Sequence, residues 1–264
     1  MSFTKTKMNN STFMKDELTV KILPSRNEMG KDAARDMVNK IKELLTEKEE
    51  INIIFAAAPS QNEFIDHMVS DKSVDWTKTN AFHMDEYVGM GINSPQGFGY
   101  FLKERLFDKV RFNTVNYING QPDDIDKECE RYSGLLEKNP VDILCLGIGE
   151  NGHIAFNDPG TADFNDSKLV KYVDLEITSR QQQVNDGCFS SLENVPLKAI
   201  TLTVPALLKA KYIFCVVPAS TKANAVYRTL YGEINETCPA TILRTKKNAL
   251  LYLDSDSSKM LNSK

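Results

Sequence analysis

The sequence contains no apolar run approaching the roughly 18 residues needed to span a bilayer. Its opening stretch, "MSFTKTKMNNSTF", lacks the apolar core of a secretory leader, so neither export nor a membrane partner is expected. Basic charge is not in excess: 32 Lys and Arg stand against 36 Asp and Glu, a formal net charge of −4. Lys246-Lys247 is only a doublet, and without a basic stripe nucleic acid is not expected as a partner. The five cysteines are odd in number and form no C-x-x-C pair, which fits neither a disulfide framework nor a zinc ribbon. Cys145 and Cys215 lie inside apolar runs and read as reduced core residues. Internal repeats, low-complexity tracts and Pro/Gly/Ser-rich linkers are absent too. These absences predict a soluble, cytoplasmic protein with one domain over residues 1–264, in which 1–13 and 255–264 are peripheral tails.

What is present alternates. The runs at 18–23, 51–58 ("INIIFAAA"), 80–85 ("NAFHMD"), 114–118, 141–147 ("VDILCLG"), 198–204, 211–217 and 249–254 read as strands. Between the first two, Met29, Ala33, Met37, Ile41 and Leu44 recur every three or four residues, the spacing of a helix with one apolar face. Further helices are expected after Pro59-Ser60 and over 96–107, 124–136 and 220–231. Apolar strands alternating with helices predict an α/β fold: a modified Rossmann-like, mainly parallel sheet with helices on both faces. Ligands of such folds collect at the carboxyl ends of strands, so the residues there are the candidates for chemistry.

The first candidate is "GIGENGHIAFNDPG", residues 147–160. Gly147, Gly149 and Gly152 satisfy the G-x-G-x-x-G spacing of a dinucleotide-binding turn. That motif needs a helix after its third glycine to hold the pyrophosphate, and Asp158-Pro159-Gly160 would end such a helix almost at once. Asn151, His153, Asn157 and Asp158 offer another use of the loop. A histidine held by a carboxylate can move a proton near neutral pH. A structural or merely solvated loop histidine is the plainer alternative.

The second candidate is "FHMDEYVGM", 82–90. Strand alternation puts His83 and Asp85 on one face, with Glu86 opening the loop. Three readings stay open: a solvated acidic pair, a His-x-Asp metal site completed by His153, or Asp85 as a general base. The third is "VPASTKANAV", 217–226, where a buried strand runs into a helix with Lys222 in its first turn. A lysine there opposes the helix dipole unless an anion is bound, so the segment reads as a phosphate seat or as ordinary surface. "AAAPSQ" (56–61) repeats the strand-to-helix design with Ser60.

Together these segments resemble the glucosamine-6-phosphate deaminase/isomerase family, with a galactosamine-6-phosphate isomerase-like branch included. "MDEYVG" (84–89) and "NGHIAFND" (151–158) match its two signature blocks in order and separation, and the likeness runs from "INIIFAAAPS" through "KAITLTVPALLKAKYIFCVVPASTK". The resemblance implies deamination coupled to aldose–ketose isomerisation of a hexosamine 6-phosphate, either glucosamine or galactosamine, giving a ketohexose 6-phosphate and ammonia. It implies Asp85 as the base that carries a proton from C2 to C1, His153 as the ring-opening group, and Asn151 and Asp158 beside it. Lys222, Ser60 and Arg180 would hold the phosphate. Neither a metal nor a redox cofactor is implied, and a homo-oligomer is left open.

The sequence departs from the family pattern at named places. Asp158 stands where the family has Glu, one methylene longer, so a shifted loop or a bridging water would have to restore its reach to His153. The turn "AAAPS" (56–60) replaces Thr-Gly-Gly-Thr-Pro. In the lid segment "TSRQQQVND" (178–186) Arg180 is retained, but the family's phosphate arginine falls near Asn185. Counted without gaps, the basic residues of allosteric members fall at Lys168 and Val170, so their activator site is not expected here. Two rival functions remain. One is 6-phosphogluconolactonase-like hydrolysis of a sugar-phosphate lactone, for which His153 alone would suffice. The other is a non-catalytic sugar-phosphate sensor, suggested by the altered phosphate turn and lid.

Overall fold

A computed structural model describes residues 11–262, which build two sheets. The larger contains β1 (Ser11–Lys15), β2 (Leu18–Ile22), β3 (Ile51–Phe55), β4 (Thr79–His83), β6 (Thr114–Asn116), β7 (Ile143–Leu146), β10 (Tyr212–Val217) and β11 (Ala249–Leu253). Its spatial order is β1-β2-β11-β10-β7-β3-β4-β6, parallel throughout except for the β1–β2 hairpin. The smaller sheet is antiparallel and joins β5 (Asp85–Tyr87), β9 (Lys198–Leu202) and β8 (Val170–Asp174) in that order. The helices are α1 (Arg26–Glu47), α2 (Asn62–Ser70), α3 (Phe98–Leu102), α4 (Ile125–Lys138), α5 (Ile177–Asn185), α6 (Val204–Leu208) and α7 (Ala223–Tyr231). No helix among the described residues is long and apolar enough to cross a membrane.

The central strands are apolar on both faces because helices cover both. Along β10, Phe214 and Val216 pack into the core beneath α1 and α2, while Ile213, Cys215 and Val217 pack with α4, α6 and α7. Along β7, Ile143 and Cys145 take the first face and Leu144 and Leu146 the second. The expected α/β class follows from this two-sided burial. The helix starts follow from local chemistry: Ser25 accepts a hydrogen bond from the Glu28 amide at 3.2 Å to cap α1, and Asp124 caps α4 by accepting from Lys127.

Two expectations are corrected. Residues 80–85 are not one strand: β4 ends at His83, and after Met84 the chain enters the smaller sheet as β5. The Leu202 amide donates to the Met84 carbonyl at 2.8 Å, and Asp85 pairs with Thr201 in that sheet. The alternation therefore breaks, and the His83 and Asp85 side chains do not share a sheet face. The tails are also shorter than expected. Ser11–Lys15 form the edge strand β1, and beyond β11 the Asp254 carboxylate accepts from the Ser257 amide at 2.7 Å with Ser257 and Ser258 fully buried. Residues 1–10 and 263–264 lie outside the described residues.

Candidate active site

From β3 the chain moves outward through β4 to β6, then returns through β7 to β10 and β11 on the opposite side. The carboxyl ends of β3 and β7 thus bound a crevice at a topological switch point. A cleft of about 120 Å³ opens there, lined by the 56–60 turn, Asp85, Gly149, His153, Gln182, Thr221 and Lys222 among others.

The loop after β7 is shaped around the His153 ring. A Cβ on Gly149 would lie 2.1 Å from the Cε1 atom of His153, so only glycine lets that ring lie against the backbone. Gly152 has φ +91°, a left-handed turn that redirects the chain. No helix opens after it; residues 151–160 turn around an isolated bridge between Ile154 and Asn157. The dinucleotide reading of the glycines lacks its helix and is set aside.

Oxygens surround His153 Nδ1. Asn151 Oδ1 lies at 2.8 Å, Ser179 Oγ at 2.9 Å and Asp158 Oδ1 at 3.2 Å. Asp158 Oδ1 in turn accepts from Asn151 Nδ2 at 2.8 Å and from the Ser179 hydroxyl. Burial would raise the Asp158 carboxyl, but His153, Ser179 and Asn151 outweigh it and hold the group below the ordinary carboxylate value. His153 Nε2 has no hydrogen-bond partner among the described residues. The short Asp158 still reaches Nδ1 directly at 3.2 Å, and a side chain on α5 adds a closer oxygen beside it. The sequence reading missed Ser179.

Across the crevice, Asp85 is buried, lines the cleft and accepts no side-chain hydrogen bond among the described residues. Burial first, and then the charge of Glu86, push its carboxyl well above the ordinary value. Glu86 is not solvated: it accepts from the amides of Tyr87 (2.9 Å), Phe98 (3.1 Å) and Gly99 (2.8 Å). Burial outweighs those bonds and raises it to about 7. The solvated acidic pair is therefore excluded. His83 is fully buried, with Nδ1 2.9 Å from the Asp85 carbonyl and Nε2 accepting from the Ile118 amide at 2.9 Å. Burial lowers it to about 4, so the ring is neutral and both nitrogens are engaged. It holds the Asp85 backbone and is unsuited to bind a metal with Asp85 and His153.

The anion side is built from strand-to-helix turns. Lys222 closes the 3₁₀ turn Ser220–Lys222 that opens α7; it is buried, lines the cleft, and its ammonium makes no hydrogen bond or ion pair among the described residues. Burial lowers its ammonium value, with Asp186 and Glu150 acting the other way. Ala219, just before it, has φ +81° and ψ 149°, a region normally reserved for glycine. Its amide is held by the Asp254 carboxylate at 3.2 Å. Ser60 lines the same cleft and accepts from Gln61 Nε2 at 3.1 Å. Arg180 is not brought to this anion seat: its guanidinium donates to the carbonyls of Leu192 (2.6 Å) and Val195 (3.1 Å), fastening α5 to the 192–195 turn. Arg26 lines the cleft instead, with Nε on Glu63 at 2.7 Å and a second nitrogen donating to the Pro59 carbonyl. Its signal was available, since Pro24-Ser25-Arg26 is another strand-to-helix turn.

The class this crevice defines is an α/β enzyme that carries out acid–base chemistry on a small anionic molecule. Residues 24–252 match the family of glucosamine-6-phosphate isomerases/6-phosphogluconolactonase, and the chain belongs to that family. It is 38% identical over 189 residues to a glucosamine-6-phosphate deaminase of Bacillus cytotoxicus, covering 72% of this chain and 70% of the relative. It is 36% identical over 217 residues to a glucosamine-6-phosphate deaminase of Bacillus cereus, covering 82% and 80%. A solved monomeric glucosamine-6-phosphate deaminase superposes with a TM-score of 0.83 at 27% identity, over 91% of this chain and 99% of that one. The 6-phosphogluconolactonase of Thermotoga maritima shares the fold, with a TM-score of 0.73 at 21% identity over 90% and 99%.

Proposed function

We propose that this chain is a cytoplasmic amino-sugar-phosphate isomerase/deaminase that converts a hexosamine 6-phosphate into a ketohexose 6-phosphate and ammonia. The observation that carries the reading is Asp85, a buried, unpartnered carboxyl with a raised pKa that shares one cleft with the oxygen-backed His153. A lactonase needs no group to move a proton between carbons; an isomerase does. Lys222, Ser60, Thr221 and Arg26 receive the phosphate. His153 Nε2 takes the proton of the O1 hydroxyl and delivers it to O5, opening the pyranose. Asp85 then removes the C2 proton to give an enolamine and returns it at C1, leaving an iminium at C2. Water adds to that carbon and ammonia leaves, giving the ketone. The isomerisation is internal to the sugar, so electrons balance without an external redox partner.

The Bacillus relatives make glucosamine 6-phosphate the first substrate to try, with galactosamine 6-phosphate beside it. Ammonia and ketose phosphate should appear together from at least one of them. Product from neither, or hydrolysis of 6-phosphogluconolactone in their place, would overturn the proposal.

A further inference from the structure

Ser179 lies on α5, 21 residues beyond Asp158, and touches both members of the His153–Asp158 pair. Its oxygen is 2.9 Å from His153 Nδ1, closer than the 3.2 Å that separates Nδ1 from Asp158 Oδ1. The Ser179 hydroxyl donates to Asp158, because an ionised carboxylate can only accept. With its single proton committed there, the hydroxyl offers lone pairs to the ring and must accept from Nδ1–H. Asn151 Oδ1 at 2.8 Å and Asp158 Oδ1 at 3.2 Å are acceptors as well, so every oxygen around Nδ1 accepts from it. The proton is therefore fixed on Nδ1, and Nε2 is left unprotonated in the cleft. Ser179 is only 1% exposed, so water does not replace it. On the same helix, Gln182 Oε1 accepts from the Glu150 amide at 2.9 Å, so α5 grips the loop at a second point.

We infer that Ser179 is a positioning residue for the ring-opening histidine, linking the Asp158 charge to His153 and setting its tautomer through a hydroxyl that α5 supplies. This rests on the reading of His153 as a proton carrier. The loop supplies the Asn151 and Asp158 contacts to Nδ1, and α5 supplies the third, from Ser179.

The chain has three histidines, so ¹⁵N spectra of the imidazoles, assigned with a His153→Gln variant, read the His153 tautomer whether or not the protein turns over. The native ring should be held as Nδ1–H, and Ser179→Ala should mix the tautomers while Ser179→Thr, which keeps the hydroxyl, restores the single form. With glucosamine 6-phosphate, Ser179→Ala should lower kcat about tenfold and leave KM within about twofold, as expected for one lost hydrogen bond. In an Asp158→Glu background the longer carboxylate can close the 3.2 Å contact to Nδ1, so the same Ser179→Ala change should cost less than about threefold. An unchanged tautomer in Ser179→Ala, or equal losses in both backgrounds, would overturn the inference. An inert native protein whose tautomer still depends on Ser179 would overturn the deaminase reading alone.

Discussion

Asp85 and Glu86 are neighbours in sequence, both buried, and they use their lone pairs in opposite ways. Glu86 spends its oxygens on the amides of Tyr87, Phe98 and Gly99, while Asp85 keeps its own free for the cleft. Asp85→Asn should therefore reduce ammonia release on the order of 10²–10⁴-fold with substrate affinity changed only a few-fold, measured by coupled assay and calorimetry. A base acts when ionised, so activity should fall as pH falls through the raised Asp85 value. Glu86→Gln removes a negative neighbour and should move that acid limb of kcat/KM to lower pH; a stationary limb would show that burial alone sets it. Lys222→Ala should raise KM at least about tenfold, the scale of a lost charge-assisted phosphate contact. How far single residues could be read from sequence depended on direction. Lys222 and Ser60 were legible because a helix start limits where they point. Arg180 was read toward the phosphate and Ser179 was passed over, because successive helix residues point about 100° apart and the sequence does not say which one faces the cleft. Ser179 faces the loop, and Arg180 faces the 192–195 turn.

The turn between β10 and α7 shows what one element can tolerate. Ala219 occupies a glycine conformation under the hold of Asp254, and such a residue costs about 1–3 kcal/mol. Ala219→Gly should raise the melting temperature, because relief of strain exceeds the roughly 0.5–1 kcal/mol that glycine adds to unfolded-state entropy; a fall would mean the strain is not there. Elements were legible in proportion to their burial. β7 and β10 are continuous apolar runs, and β3 is broken only by Asn52, so all three announce themselves. β8 buries Val170 and Val173, three apart and so out of period-two alternation, around exposed Tyr172, and β1 is an exposed edge, so neither stands out. The Met84 step was invisible for a different reason. Period-two alternation locates side chains only while a strand stays in one sheet, and the Leu202 partner that draws β5 away is more than a hundred residues distant in sequence.

For the whole molecule, His83 couples folding to acidity. Burial lowers its ring from the ordinary 6.5 to about 4 in the fold. The unfolded chain binds the proton more readily, so this contribution is fully present above pH 6.5 and is lost as pH falls through about 4. His83→Gln should flatten the decline in melting temperature over that window; an unchanged slope would exclude His83 as its source. The strand order has a consequence of another kind. Ser11 pairs with Ile22, and Ile22 pairs with Leu253, so the start of the first described strand and the end of the last sit two strand spacings apart, about 10 Å. From Ser11 to Leu253 the path of the chain is nearly a closed ring. A short glycine-serine bridge from beyond the buried Ser257-Ser258 cap to Ser11, with a new break between exposed Lys72 and Ser73, should give a circular permutant that keeps both sheets and the crevice intact.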